Sequence, residues 1–211
     1  MNPADDPGDW DEQRATLWTQ YNADRAEHVV RPLLADVLEH AGPGAGRLAI
    51  DLGAGAGVES HAMLAAGWRV LAVDGDPTTA PRIRQRCAGS VDRLQVQTRL
   101  FRDVTELPAA DLVYSGYALP YATPDVFPTV WRAIRDALKP GAWLAVHLFG
   151  ERDSMRADGE PATFLTREQA EALLSGLRVV TMQEEDAQGQ SFRGPKHWHV
   201  FHVIARNSPA A

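Results

Sequence analysis

The residues best placed to do chemistry are Asp51-Leu52-Gly53-Ala54-Gly55-Ala56-Gly57, an acid followed by three alternating glycines. The apolar run Leu48 to Leu52 leads into them, and a helical pattern that stops at Gly67 follows. Glycines in a turn between a buried strand and a helix let a ligand approach the backbone, while the helix N-terminus offers oriented N–H groups. That is a site for a nucleotide-type ligand. A second acid, Asp74, closes the next apolar run, Val70 to Val73, 23 positions after Asp51. Spacing narrows the ligand. A dinucleotide fingerprint needs Gly or Ala at its sixth position, which is Val58 counted from Gly53 and Ser60 counted from Gly55. No Lys-Ser/Thr pair follows, so the triphosphate cradle is missing too.

These motifs need elements to hold them. Leu48–Leu52, Val70–Val73, Leu94–Phe101, Leu112–Tyr114 and Ala142–Phe149 read as buried strands separated by helical stretches. Asp76-Pro77 starts one helix, with Asp76 as N-cap and Pro77 at its first position. Thr123-Pro124 opens another, and Thr166 with Gln169 fits a capping box for a last one. Two closing strands, Val179–Glu184 and Trp198–Ala205, are joined by the polar segment Glu185–Pro195 and pair antiparallel. Repeated strand–helix alternation predicts an α/β fold, a mostly parallel sheet with helices on both faces and a reversed strand near one edge. Ahead of it, Leu17, Tyr21, Leu33, Leu34, Val37 and Leu38 mark helical segments, with Pro32 as a kink or a new first turn.

Composition excludes several classes. A chain of 211 residues suits one domain, and 21 basic against 28 acidic residues gives a net charge of −7, which opposes nucleic-acid binding. All basic residues but Lys139 and Lys196 are arginine, which suggests a G+C-rich bacterial genome. The single cysteine, Cys87, rules out an internal disulfide and a cysteine-based zinc cluster, and no metal is expected. The acidic, Pro-rich start does not read as a secretory signal, and no apolar run reaches the roughly 20 residues that span a bilayer. A cytoplasmic protein, monomeric or a homodimer, with no membrane or nucleic-acid partner is the expectation.

Asp51-x-Gly53-x-Gly55-x-Gly57 resembles the signature of class I S-adenosylmethionine-dependent methyltransferases, and the resemblance covers essentially the whole chain. It implies a Rossmann-like, seven-stranded sheet with a reversed last strand in a single domain. Residues 1–46 would then be an N-terminal helical lid, 47–206 the core and 207–211 a tail. It also implies S-adenosyl-L-methionine as cofactor and S-adenosyl-L-homocysteine as product. Asp51, Gly53, Ala54, Gly55 and Gly57 would meet the cofactor's methionine part and ribose. Asp74, with Gly75 beside it, would hold the ribose hydroxyls, and Asp103 and Val104 the adenine. Ser115 and Tyr117 follow the fourth strand, where cofactor and substrate meet, and Trp18 and Tyr21 belong to the lid. Structural roles compete at several positions: Asp76 as a helix cap, Asp103 as a turn carboxylate, Trp18 and Tyr21 as a core stripe. Leu119-Pro120-Tyr121, Leu148–Asp153 and Pro195–His202 look like a bacterial subgroup related to the tellurite-resistance methyltransferases. Ala54 stands where that subgroup has Cys, and Tyr121 where it has Phe.

The implied reaction is methyl transfer to a small-molecule acceptor by in-line displacement, in which positioning alone is worth roughly 7–11 kcal/mol. A base is needed only when the acceptor must lose a proton. His197, at the start of the reversed closing strand, His147, near the end of the fifth, and Tyr121 are the candidate catalytic side chains. His199 and His202 read as strand residues. Ala118-Leu119-Pro120-Tyr121 lacks the Asn/Asp-Pro-Pro-Tyr of nucleobase amino-methyltransferases. A natural product's oxygen, nitrogen or carbon is the first choice of acceptor, and a soft sulfur, selenium or tellurium the second. Residues 150–163 could gate the substrate, with Arg152 and Asp153 as anchor. The alternative function is a cofactor-fold protein that senses the cofactor or uses it without methylating.

Overall fold

In the computed structural model, which describes residues 7–24 and 29–208, helices α1 (Pro7–Asp24) and α2 (Pro32–Ala41) precede the first strand. The pattern around Pro32 resolves as a new first turn. The core then alternates β1 (Leu48–Leu52), α3 (Val58–Ala65), β2 (Arg69–Asp74), α4 (Thr79–Arg86), β3 (Leu94–Thr98), β4 (Ala110–Ser115), α5 (Phe127–Ala137) and β5 (Leu138–Gly150). It ends with α6 (Ser154–Ala157), β6 (Phe164–Leu165), α7 (Arg167–Leu173), β7 (Leu177–Ser191) and β8 (Gly194–Asn207).

The sheet order is β3-β2-β1-β4-β5-β8-β7, with β6 paired to β5. β1 to β5 run parallel, and β8 is antiparallel to both β5 and β7. Chain order reverses between β1 and β4, so a crevice opens there at the carboxyl ends of the strands, where open α/β sheets hold ligands. Alternating side chains feed two cores. Ile50, Leu52, Val113, Leu144 and Val146 pack against α5 on one face. Ala49, Leu112, Tyr114 and Ala145 pack on the other with residues of α2, α3 and α4.

Several boundaries depart from the sequence reading. The sheet has eight strands rather than seven, because the two-residue β6 has no periodicity to mark it. Helix α4 begins at Thr79, since Asp76 folds over Thr78, accepting from its N at 2.9 Å and its Oγ1 at 2.9 Å. The Glu185–Pro195 segment is largely paired strand: β7 and β8 pair from Leu177↔Asn207 to Ser191↔Gly194, with one irregularity between Val179 and Thr181. Its polar side chains conceal the strand because the hairpin runs past the rest of the sheet edge, beyond Phe149↔Val200, into solvent. No described helix is long and apolar enough to cross a membrane.

Residues 150–163 are pinned to this hairpin. Arg152 donates to Asp186 at 2.8 Å and to Glu184 at 2.7 Å, and its backbone N–H donates to His199 Nδ1 at 3.0 Å. Glu184, Asp186 and His199 come within 4.8 Å of one another, and this guanidinium already engages both carboxylates. Arg193 pairs with Glu160 at 3.0 Å, and the buried Lys196 with the buried Asp153 at 2.7 Å. Asp153 also accepts from Met155 N, capping α6. Removing one partner of a buried pair leaves the other charge uncompensated, at a cost of about 3–5 kcal/mol. Asp153→Ala is therefore expected to lose about that much stability in urea unfolding, and adding Lys196→Met to recover a large part of it.

Candidate functional site

The crevice at the β1–β4 switch holds a cavity of about 440 Å³, within the size range of small-molecule sites. Its floor is the glycine turn. Gly53, Gly55 and Gly57 all have positive φ (80°, 50° and 76°), a region that side chains disfavour. At Gly53 a Cβ would overlap that of Ala118, and at Gly55 it would come within 2.9 Å of Asn22 Oδ1. The turn is thus a cradle whose ligand-facing space a side chain would fill.

Asp74 fastens the cradle. Its Oδ2 accepts from Gly55 N at 2.7 Å and its Oδ1 from Asp76 N at 2.9 Å. Burial raises its pKa above the ordinary value, and these two N–H groups oppose the shift. Asp76, two residues on, accepts from Asn22 Nδ2 at 3.0 Å and Thr19 Oγ1 at 3.3 Å, and so ties α1 to the end of β2. Trp18 and Tyr21 of α1 line the cavity with Asn22.

Of the residues singled out in the sequence, Gly53, Ala54, Gly55, Asp74, Gly75, Tyr117, Tyr121, Trp18 and Tyr21 line one cavity. Others do not reach its wall. Gly57 packs against Ile83, and Ser115 is buried with its hydroxyl donating to Leu52 O at 2.8 Å. Val104 is fully buried in the core, and of its 3-10 turn Phe101 and Arg102 line the cavity while Asp103 does not. His147 is buried behind Tyr117, their rings stacked at 4.0 Å, and its Nδ1 has no partner. Burial pushes its pKa well below the ordinary value, with His202 adding to the shift.

His197 is the clearest departure. On β8, Lys196, Trp198 and His202 alternate with His197 and His199, and the former face Phe149 and Tyr117. His197 instead lies 2.6 Å from Asp186 on the other face, outside the cavity wall. The reversed strand does begin at the ligand edge, but its parity sends His197 away.

Sequence reasoning missed Arg31, which lines the cavity, pairs with Glu59 at 2.6 Å and donates to Tyr21 Oη at 3.2 Å. Burial opposes its charge, yet Glu59 holds its pKa above the ordinary value. A lone arginine before Pro32 carries no signal in one sequence. Asp76 as a tether was missed too, although its place two residues after Asp74 was a cue.

Asp51 lies under the turn, 1% exposed, accepting from Ser60 Oγ at 2.6 Å. Burial first and Glu59 second push its carboxyl up to about 7, against the Ser60 bond. The folded protein then holds a proton that the unfolded chain releases near 3.8, so stability falls as pH rises from about 4 to about 7. Asp51→Asn is expected to remove this slope: urea unfolding should favour the variant, relative to wild type, by roughly 2–4 kcal/mol more at pH 8 than at pH 4.

Comparison with known proteins agrees with this geometry. Residues 50–144 match the family model of a methyltransferase domain. The chain superposes on TehB from Haemophilus influenzae with a TM-score of 0.72 at 10% identity, covering 85% of this chain and 63% of that one. It thus spans less than two thirds of TehB. The 1,6-didemethyltoxoflavin-N1-methyltransferase of Burkholderia thailandensis, solved with 1,6-didemethyltoxoflavin and S-adenosylhomocysteine, gives a TM-score of 0.67 at 20% identity, over 99% of this chain and 93% of that one. The N-methyltransferase NodS of Bradyrhizobium japonicum, with S-adenosylhomocysteine, gives 0.63 at 18% identity, over 96% and 89%. No curated protein sequence matches the chain. By its family match the chain carries a methyltransferase domain over residues 50–144, and its likeness to these solved methyltransferases is one of fold.

Proposed function

We propose that this chain transfers a methyl group from S-adenosylmethionine to a small-molecule acceptor by in-line displacement, and that it accelerates the reaction mainly through positioning. The carrying observation is Asp74 at the end of β2, fixed on Gly55 N and lining the cavity that the glycine turn floors. Both fit the group: the turn is a cradle that a Cβ would fill, and a carboxylate at that strand end suits a pair of ribose hydroxyls. When bound, S-adenosylmethionine supplies a methyl group on a sulfonium, already activated for displacement.

The chain's residues then have distinct tasks. Asp74 accepts from the ribose hydroxyls, and Phe101 with Leu100 offers an apolar wall to the adenine. Two of Arg31's five N–H groups are spent on Glu59 and Tyr21, which leaves donors for the carboxylate of the methionine part. The carboxylates of Glu59, Asp74 and Asp76 sit around the cavity and favour a cation within it. α1 and α2 act as a lid on the core from residue 47 to 206; the rest of the expected lid, at residues 1–6 and 25–28, and the end of the expected tail, at 209–211, lie outside the described residues. Trp18 and Tyr21 close over the ligands and exclude water while Asn22 and Thr19 latch onto Asp76. Tyr121 walls the acceptor side. The proposal gives His197 no part in proton transfer, since it faces Asp186 away from the cavity. His147 supports Tyr117 from behind.

Two hydrogen bonds to a charged carboxylate are worth about 3–4 kcal/mol together, a factor of at least 100 in affinity. Titration calorimetry with S-adenosylhomocysteine is expected to show binding to the wild type and a loss of about 100-fold or more in Asp74→Ala. Equal affinities, or no binding to the wild type, would contradict the proposal.

A further inference from the structure

Tyr121 lines the cavity and rests on residues 150–163. Its hydroxyl donates to Met155 Sδ at 3.8 Å. Thr163 grips the chain on either side of it, its N–H donating to Pro120 O at 2.7 Å and its hydroxyl to Ala122 O at 2.7 Å. The root of this segment bonds to His199 of β8, a side chain 1% exposed. A Cβ at Gly150, the last residue of β5, would overlap the imidazole, so the backbone passes directly against the ring. Arg152 N–H donates to His199 Nδ1 at 3.0 Å, and His199 N–H donates to Asp153 Oδ2 at 3.3 Å. Asp153 Oδ1 accepts from Met155 N at 3.0 Å, which completes a path from His199 to Tyr121.

These bonds fix the state of the ring. A backbone N–H only donates, so Nδ1 presents its lone pair and the ring proton is on Nε2, 2.8 Å from Glu184 Oε1. Bonds from His199 and then Arg167 hold the Glu184 carboxyl below its ordinary pKa, which keeps it an acceptor. The Arg152 guanidinium also comes within 3.0 Å of Nε2, but a guanidinium only donates, and it shares Glu184 Oε1 with the ring at 2.7 Å. A second proton, taken from solvent, can go only to Nδ1. There it points at the Arg152 N–H and breaks that bond, and the charged ring stands against the guanidinium. Glu184 and Asp186 of β7 attract the charge, while Arg167 and His197 pair with these acids and Lys196 with Asp153. Attraction to the acids leaves the loss at Nδ1 unchanged.

We infer that His199 is a positioning residue: its neutral ring clasps residues 150–163, and protonation of Nδ1 releases the clasp and with it the support of the cavity wall at Tyr121. Histidine is the side chain whose charge ordinarily changes between pH 5 and 8, so the wall tightens as pH rises through that range. The inference rests on the clasp and not on which ligands the cavity takes. Through Asp51, global stability moves the other way with pH, which separates the two effects.

Histidine 15N NMR and amide hydrogen exchange on the full chain test it. At pH 8 the His199 ring is expected to show a bare Nδ1 and a protonated Nε2, and at pH 5 protons on both. Between these pH values, after correction for intrinsic exchange, protection should fall by at least about fivefold at the Arg152 amide and about threefold at the Thr163 amide. His199→Asn, whose Oδ1 stands in for Nδ1 and does not titrate, is expected to keep both amides within about twofold of their pH 8 protection. A proton on Nδ1 at pH 8, a ring still neutral at pH 5, smaller losses at either amide, or the same losses in His199→Asn would overturn the inference. The methyl-transfer reading stands or falls separately, on S-adenosylhomocysteine binding to the wild type and Asp74→Ala.

Discussion

The architecture of the site depends on one hydrogen bond, from Gly55 N to Asp74 Oδ2 at 2.7 Å. A turn with three left-handed glycines exposes N–H groups that must find partners. The acid at the end of the neighbouring strand supplies one, so the parallel pairing of β1 with β2, register Leu52↔Val73, sets where the turn can sit. Asp74 also takes the N–H of Asp76, which in turn holds Asn22 and Thr19 of α1. The glycine turn, Asp74 and α1 form one hydrogen-bonded series that starts at the end of β2.

The opposite half of the cavity is held by packing. There the long hairpin reaches past the sheet edge and brings Phe192, Lys196 and Trp198 to the rings behind Tyr21, Tyr117 and Tyr121. Ion pairs join the hairpin to residues 150–163. On the roof, α1 is tied to the core by the two bonds to Asp76 and the one between Tyr21 and Arg31, among others.

The glycine turn and the acid beside it were legible in the sequence because each has a short-range signature. Gly53 and Gly55 sit where left-handed turns need glycine, and Asp74 follows an unbroken apolar run. Asp51, Gly57 and Ser115 belong to the same motifs, yet they support the wall from beneath without forming it. The other half of the cavity was harder to read because long-range pairing decides it. His197 lies at the expected sheet edge but on the wrong face, a distinction that one residue of register controls. The strand from Glu185 to Ser191 was hidden by polar side chains on a hairpin outside the core, and Arg31 had no local pattern at all.

A crystal structure of the full chain with S-adenosylhomocysteine tests the role of Asp74 most directly. The account predicts both ribose hydroxyls at about 2.6–3.2 Å from the Asp74 carboxylate, the adenine against Phe101 and the thioether sulfur facing Tyr121. A ribose bound elsewhere, with Asp74 still holding only the Gly55 and Asp76 N–H groups, would contradict it.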